Sequence, residues 1–395
     1  MQKDLVLVLN CGSSSIKFAI LNPQTEKNLF SGLVERLGGE ATMRYCYTEK
    51  KEKNLGKIDH EIAIKLIIEL IRKETPLADR ILAVGHRVLH GGEKFTRSVV
   101  IDQSVIDAIK ECIPLGPLHN PANIAGIEGA KSAFNLPQVA VFDTAFHQTM
   151  PDYAYLYPIP YDFYEKYAVR RYGFHGTSHR FITKQVIERL NLPKENNAII
   201  VAHLGNGCSL SAILNSKCVD TSMGITPLEG LMMGTRSGDV DPSIHGYLAN
   251  KLSCSLEEIT EILNKKSGLL GVSGIDSDMR TIEDRYLQHD CRATLALEMF
   301  CYRLAKYIAS YIVPLQKLDA IAFTGGIGEH SPIIRGKVLN LLSHFGFNVI
   351  PEYNENNGKN SNGLITDGAP VALVIPTNEE LMIAKDTYDL LNNNI

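Results

Sequence analysis

The sequence contains no tryptophan, and aromatic residues make up only 7% of its 395 positions. Cysteine is sparse as well: eight residues, none in a C-x-x-C pair, which excludes a disulfide scaffold and suits thiols kept in a reducing compartment. An excess of charge of one sign is missing. Lys+Arg 40 against Asp+Glu 44 gives a net charge of −4, so nothing electrostatic favours a nucleic acid or an anionic membrane, and a small molecule is the expected partner. Long hydrophobic runs are absent too. Leu5–Leu9 is too short for a secretory segment and follows Asp4, and the longest uncharged stretch, Asn196–Ser216, is interrupted by His203, Gly205, Asn206 and Gly207. These absences lead us to expect a cytoplasmic protein with no membrane span.

What is present is ordinary for a globular chain: 45% hydrophobic and 21% charged residues, enough for a full core. At about 150 residues per domain, the length suggests two domains or three. Short apolar runs alternate with amphipathic segments, which reads as α/β. Strands are predicted at Leu5–Leu9, Ile16–Leu21, Ile81–Gly85, Val139–Phe142, Ala198–His203, Ser209–Leu214, Ala320–Thr324 and Val371–Ile375. A capping box, Ser255 with Glu258, opens one helix. Glu61–Lys73 forms another. Thr294–Val313 forms the longest, stopped at Pro314, and its apolar residues on more than one face suit a core or a subunit contact. Aligning Gly12 with Gly205 superimposes two strand–turn–strand segments, which suggests a duplicated domain or a chance match among strand-like residues.

Several short motifs carry chemistry. Asn10-Cys-Gly-Ser-Ser-Ser-Ile-Lys17 follows a strand and offers a tight turn, hydroxyls and a lysine to an anion, without Walker A spacing. His203-Leu-Gly-Asn-Gly207 is a second such turn. Leu318 to His330 reads as a buried strand ending in Gly325-Gly326-Ile327-Gly328, with a helix start that has Pro332 just inside it and would favour phosphate. Arg87 and Arg236 stand among glycines, where a planar fork reaches an anionic ligand, although either alone would equally serve a structural ion pair. Asp143 ends a strand, where α/β folds place catalytic carboxylates or helix caps. The pairs His86/His90 and His175/His179 have H-x₃-H spacing, but adjacent glycines argue against the regular helix a zinc site would need. Asn378-Glu-Glu380 follows the last strand and offers either a metal-binding carboxylate or a surface helix start. Together these parts suit phosphoryl transfer, which asks for positioning and charge neutralisation and little covalent chemistry.

As a set, the segments LVLNCGSSSIKF, GHRVLHGGEKF, LGPLHNP, VFDTAFH, RRYGFHGTSH, HLGNGCS, TSMGITPLEGLMMGTRSGDVDP, SGIDSDMR, FTGGIGEHS and PTNEELMIA resemble the acetokinase family of the actin/sugar-kinase/Hsp70-like superfamily, along essentially the whole chain. The resemblance implies two ribonuclease-H-like (actin-like ATPase) domains hinged over a central cleft, residues 1–148 with 381–395 and residues 149–380. It also implies a homodimer and the reaction ATP + acetate ⇌ ADP + acetyl phosphate, with Mg²⁺ as cofactor and Mn²⁺ as a substitute. By position, Arg87, Arg236 and His175 would hold the carboxylate and the transferring phosphoryl group, with Asp143 as the essential acidic residue orienting an arginine. Asn10 and Glu379 would hold the metal, and Lys17 would meet an ATP phosphate. His203, Leu204, Gly205, Asn206 and Gly207, then Asp278, Met279 and Arg280, then Gly325, Gly326, Ile327, Gly328 and Glu329 would line the nucleotide site. The methyl pocket would comprise Leu89, Leu118, Phe174 and Pro227, with His119 near the substrate. Leu89 stands where the family leads us to expect valine, which should narrow the pocket against propionate. A non-catalytic ATP switch of the same superfamily would need the nucleotide turns but no second anion site, and Arg87, Arg236 and His175 provide for one.

Overall fold

The computed structural model describes residues 3–117 and 119–392, so Leu118 lies outside the described residues. The chain forms two compact units, residues 1–148 with 378–395, and residues 149–377.

The first unit is built on an eight-stranded sheet. Its strands are β1 (Leu5–Cys11), β2 (Ser15–Asn22), β3 (Lys27–Glu35), β4 (Glu40–Cys46), β5 (Lys50–Lys57), β6 (Ile81–Val88), β7 (Val99–Val100) and β8 (Gln138–Phe142). Their order is β5-β4-β3-β2-β1-β6-β8-β7. Consecutive neighbours from β1 to β5 are antiparallel, whereas β1, β6 and β8 run parallel. β1 is apolar and almost wholly buried because helices cover both faces of a central parallel strand. On one face lies the helix His60–Glu74, capped by Asp59, which accepts from the Ile62 N–H, and burying Ile64, Ile67, Ile68 and Ile71. The helix Glu379–Asn392 also packs on β1, β2, β6 and β8, so the chain returns to this unit at 378, three residues before the boundary drawn from sequence.

The second unit repeats the plan with β9 (Ala198–Leu204), β10 (Cys208–Leu214), β11 (Lys217–Thr221), β12 (Ala320–Thr324) and, after a small ribbon of β13 (Asn348–Val349) and β14 (Thr366–Asp367), β15 (Val371–Val374). The order β11-β10-β9-β12-β15 carries the same pattern of directions as β3-β2-β1-β6-β8. The match between Gly12 and Gly205 is therefore the sequence trace of two ribonuclease-H-like units, each with its first hairpin at the sheet centre. The capping box forms as read: the Glu258 N–H donates to Ser255 Oγ at 3.1 Å, and the Ser255 N–H to Glu258 Oε2 at 2.8 Å. The longest helix corrects its predicted end. It runs Cys291–Leu315 with Pro314 inside and stops at Gln316, which is left-handed with φ 61°. In the last turn proline removes only one intrahelical bond, so the helix tolerates it there. The glycine run Gly325–Gly328 is likewise no loop before a helix: it is itself helical over Gly325–His330, and the helix containing Pro332 follows as Pro332–Leu341.

Candidate active site

In the first unit the carboxyl ends of three neighbouring parallel strands, β1, β6 and β8, present Asn10, Arg87 and Asp143 side by side. The edge outside the carboxyl ends of parallel strands is where α/β sheets bind ligands. Arg87 donates from Nη2 to Asp143 Oδ2 at 2.6 Å, from Nε to both carboxylate oxygens at 3.1 Å, and from Nη1 to Asn10 Oδ1 at 3.3 Å. The Asp143 side chain is 1% exposed and the Arg87 side chain 22%, so the carboxylate is the buried anchor and the guanidinium faces outward. Lys17 forms an ion pair with Glu380, next to Glu379. Burial pushes the Glu379 carboxyl well above the usual carboxylate range; Arg87 pulls against that rise, while the nearby Asp143 and Glu380 add to it.

This first-unit set fits a magnesium ion. Asn10 and Glu379 supply hard oxygens, Asn10 Oδ1 keeps a lone pair beyond its 3.3 Å bond, and three carboxylates face two cations in a region that raises Glu379. A carboxyl that holds its proton more tightly when folded stabilises the fold at low pH and loses that contribution as pH rises from the ordinary carboxylate range to its raised value. We therefore expect the unfolding midpoint of Glu379→Gln to exceed that of the wild type by a margin that grows from pH 5 to pH 8 without metal, and Mg²⁺ to narrow the margin at pH 8. A margin independent of pH would show that Glu379 does not titrate there.

The second unit brings His175, His203, Arg236 and the turn at Gly205–Gly207 together. His175 is left-handed, with φ 58°, at the start of the helix Gly176–Leu190, a sterically costly conformation for a side-chain-bearing residue. Its ring stacks on His203 with centroids 4.3 Å apart. A Cβ placed on Gly207 would lie 3.4 Å from Arg236 Nη1, 3.5 Å from His175 Cε1 and 3.6 Å from His175 Nε2. Both side chains therefore converge on the space over Gly207, which a side chain there would fill. Arg236 is half-buried, and burial lowers its pKa. Its protein partners are weak, the Pro227 carbonyl at 3.3 Å and Met233 Sδ at 3.8 Å. Among the described residues no carboxylate pairs with it, unlike Arg87.

Beside this lies a cavity of about 390 Å³ lined by Gly205, Asn206, Asp278, Met279, Arg280, Gly326 and Ile327, all expected from sequence, and by Ser277, Glu283, His330 and Ser331, which were not. The expected residues His203, Leu204, Gly207, Gly325, Gly328 and Glu329 are not among those lining it. Gly325, at φ 76°, packs so closely on β9 that a Cβ would lie 2.7 Å from the Leu204 carbonyl. Glu329 Oε1 accepts from the Gly325 N–H at 3.0 Å and the Thr377 N–H at 3.1 Å, so it ties the start of the Gly325–His330 helix to the end of the second unit and is not among the residues lining the cavity. Arg335, fully buried, donates to the Gly328 carbonyl at 2.9 Å and to the carbonyl of Asn354 at 2.7 Å. Burial lowers its pKa to about 10. A buried arginine was invisible in sequence because nothing near Arg335 distinguishes it from a surface arginine. For Glu329→Gln, which keeps one acceptor but loses the charge, we expect weaker nucleotide binding by several-fold in calorimetry with little change in thermal stability; unchanged affinity would remove Glu329 from loop positioning.

The remaining expected residues are distributed between the units. In the first, Leu89 is buried and His119 precedes the helix Asn120–Ala133; in the second, Phe174 is buried and Pro227 is half-buried and bonded through its carbonyl to Arg236. The H-x₃-H pairs are held otherwise than by zinc geometry: His86 Nε2 lies 2.6 Å from Gln138 Oε1, His90 Nδ1 accepts from the Gly92 N–H at 3.0 Å, and His175 and His179 both meet Ser209. Asp239 and Asp241 precede Pro242 but do not cap a helix there. The helix begins at Ile244, and Asp239 accepts from the Gly230 N–H at 2.7 Å.

The acetokinase family model matches residues 5–385. The chain belongs to the acetokinase family. Among its relatives in this family, an acetate kinase of Shewanella baltica is 55% identical over 398 residues, spanning 99% of this chain and 100% of that one. A solved acetate kinase of Porphyromonas gingivalis superposes with a TM-score of 0.93 at 44% identity, covering 98% of this chain and 100% of that one. A propionate kinase of Francisella tularensis superposes equally well, TM-score 0.93 at 45% identity, covering 98% and 99%. For an acetokinase-family chain, the cavity and the two arginine-centred clusters suit phosphoryl transfer to a carboxylate.

Proposed function

We propose that this chain transfers the γ-phosphoryl group of ATP to acetate, reversibly and directly in line, giving acetyl phosphate and ADP. The observation that carries the reading is Arg236: a half-buried guanidinium with no carboxylate partner among the described residues, sharing one point of space with the His175 imidazole beside a cavity of about 390 Å³. Such a charge calls for an anion from outside the protein. The nucleotide base and ribose occupy the cavity between Asp278–Arg280 and Gly326–Ile327, which leaves the terminal phosphate to the Gly205–Gly207 turn. Arg236 neutralises charge on the phosphoryl oxygens as the group moves, and the Nε2 edge of His175 donates a hydrogen bond to them. Arg87, held in one orientation by Asp143, grips the acetate carboxylate with its part-exposed guanidinium. No general base is needed, since acetate is already ionised at pH 7. Mg²⁺, with Asn10 and Glu379 to hold it and Mn²⁺ as a substitute, supplies charge neutralisation on the polyphosphate when bound.

We infer a cytoplasmic homodimer. The large apolar side chains Leu295, Tyr302 and Val313, exposed along the longest helix, support a second copy. Among the described residues no helix is long and apolar enough to cross a membrane.

A second acceptor, propionate, is favoured by the Francisella tularensis relative. Against it stands Leu89, a buried side chain one methylene larger than the valine expected there. One methylene discriminates by about 1–3 kcal/mol, roughly 10- to 200-fold. Hydroxylamine trapping of acyl phosphate, with acetate, propionate and butyrate side by side, tests this. We expect acetate first, propionate at least ten-fold weaker in kcat/KM and butyrate weaker still. Equal turnover of propionate would refute the Leu89 argument while leaving the chemistry intact.

A further inference from the structure

Ser209, in β10, is fully buried, and its hydroxyl lies between two imidazoles: His175 Nδ1 at 2.9 Å and His179 Nε2 at 2.7 Å. The motif reading singled out both histidines for their spacing and left the serine unassigned. A hydroxyl has one proton to donate and two lone pairs to accept with. The Ser209 proton therefore goes to one ring or the other, and each choice fixes both tautomers. If Ser209 donates to His175 Nδ1, His175 carries its proton on Nε2, and His179 must donate from Nε2 to Ser209 Oγ. If Ser209 donates to His179, His175 must carry a proton on Nδ1.

The surroundings decide between the two. The Nε2 edge of His175 faces the space over Gly207 that it shares with Arg236. For His175 to donate to an oxygen placed there, Nε2 must bear the proton. A second proton on Nδ1 would make an imidazolium beside an arginine that already lacks a counter-charge, which like-charge repulsion disfavours. A neutral ring with a bare Nε2 would turn a lone pair toward the incoming anion. Only the first arrangement avoids both.

We propose that Ser209 is a positioning residue that holds His175 neutral, with Nδ1 accepting and Nε2–H aimed at the space over Gly207, and that His179 acts through Ser209 to enforce that tautomer. The inference rests on the reading of His175 as a phosphoryl-binding group, but its first test does not depend on activity. It deepens that reading by assigning the proton. The hydroxyl stands on a strand whose neighbour, β9, carries His203 opposite Ser209 in register, so the donor is fixed to the same rigid element as the ring stacked on His175.

The test is ¹⁵N NMR of histidine-labelled protein, with the His175 signals assigned by their loss in His175→Gln. In the wild type at pH 7.5 we expect His175 Nε2 protonated and Nδ1 in the range of an unprotonated, hydrogen-bond-accepting nitrogen. In Ser209→Ala the His175 signals should move toward a mixture of tautomers, and kcat should fall on the order of 10- to 100-fold with KM for ATP little changed, since orientation is lost and nucleotide contacts are not. His179→Gln, whose amide still donates to Ser209 Oγ, should keep the His175 tautomer, and His179→Leu should loosen it. A wild-type His175 protonated on Nδ1, or a Ser209→Ala spectrum unchanged at His175, would overturn the proposal. If the tautomer shifts but wild-type protein makes no acyl phosphate, the positioning role stands and the proposed function fails.

Discussion

Arg236→Ala is expected to lower kcat by at least about 100-fold, the scale for loss of a charge contact made in the transition state. The argument starts from its weak protein partners. A guanidinium that burial disfavours, held only by the Pro227 carbonyl at 3.3 Å and a methionine sulfur at 3.8 Å, gains little from the protein itself. Such a residue contributes little to folding, so its removal should leave the unfolding midpoint nearly unchanged, or raise it slightly, while the reaction stops. Lysine should rescue poorly. A point charge on a flexible stem cannot present the planar fork that spans two phosphoryl oxygens. Steady-state kinetics with ATP binding measured separately checks this: intact nucleotide affinity with lost turnover is the expected pair of results, and near-normal kcat would remove Arg236 from the mechanism.

Asp143→Ala is the opposite case, with large effects on both stability and rate. Asp143 is the buried half of a pair that includes a 2.6 Å bond, and its loss leaves Arg87 the 3.3 Å bond to Asn10 within the cluster. Breaking a buried pair by removing one partner costs about 3–5 kcal/mol, which for a unit of this size lowers the unfolding midpoint on the order of 10 °C. The freed guanidinium also loses its orientation, so kcat/KM for acetate should fall by two orders of magnitude or more, since misplacement of about 1 Å alone can cost about 100-fold. Calorimetry together with acetate kinetics reads both effects. A midpoint unchanged within a degree would show that the pair does not stabilise the first unit.

The contrast between these arginines explains what the sequence could and could not reveal. Both stand among glycines and look alike in the chain, and only the fold shows that one is clamped by a carboxylate 56 residues away and the other is not. The central strands were legible because they are continuous apolar runs bounded by turn residues, as β1 and β12 show. The antiparallel extension β3–β5 was not. Lys50-Lys-Glu-Lys-Asn-Leu-Gly-Lys57 carries too many charges to read as a strand, yet an edge strand with a solvent face is where lysines belong. The duplication was faintly visible because the two hairpin turns keep their small residues, whereas the shared strand order depends on pairing that no local pattern encodes. Motif residues were found where glycine marked them. Ser209, Ser178 and Glu283 were missed because their roles come from contacts across the fold: Ser178 Oγ meets both His203 Nδ1 and Thr377 Oγ1 at 2.8 Å. Glu329 was assigned to the nucleotide by its place in a motif, and the structure shows its carboxylate occupied by backbone N–H groups.

Transfer of a phosphoryl group from ATP to acetate turns on Arg236, a cation without a carboxylate partner among the described residues. The most direct measurement is ³¹P NMR of the purified protein with Mg-ATP and acetate, run beside Arg236→Ala. Acetyl phosphate and ADP appearing in equal amounts with the wild type, and neither with the variant although it still binds ATP, is the predicted result. ATP breakdown to inorganic phosphate without acetyl phosphate, or equal acetyl phosphate from both proteins, would contradict it.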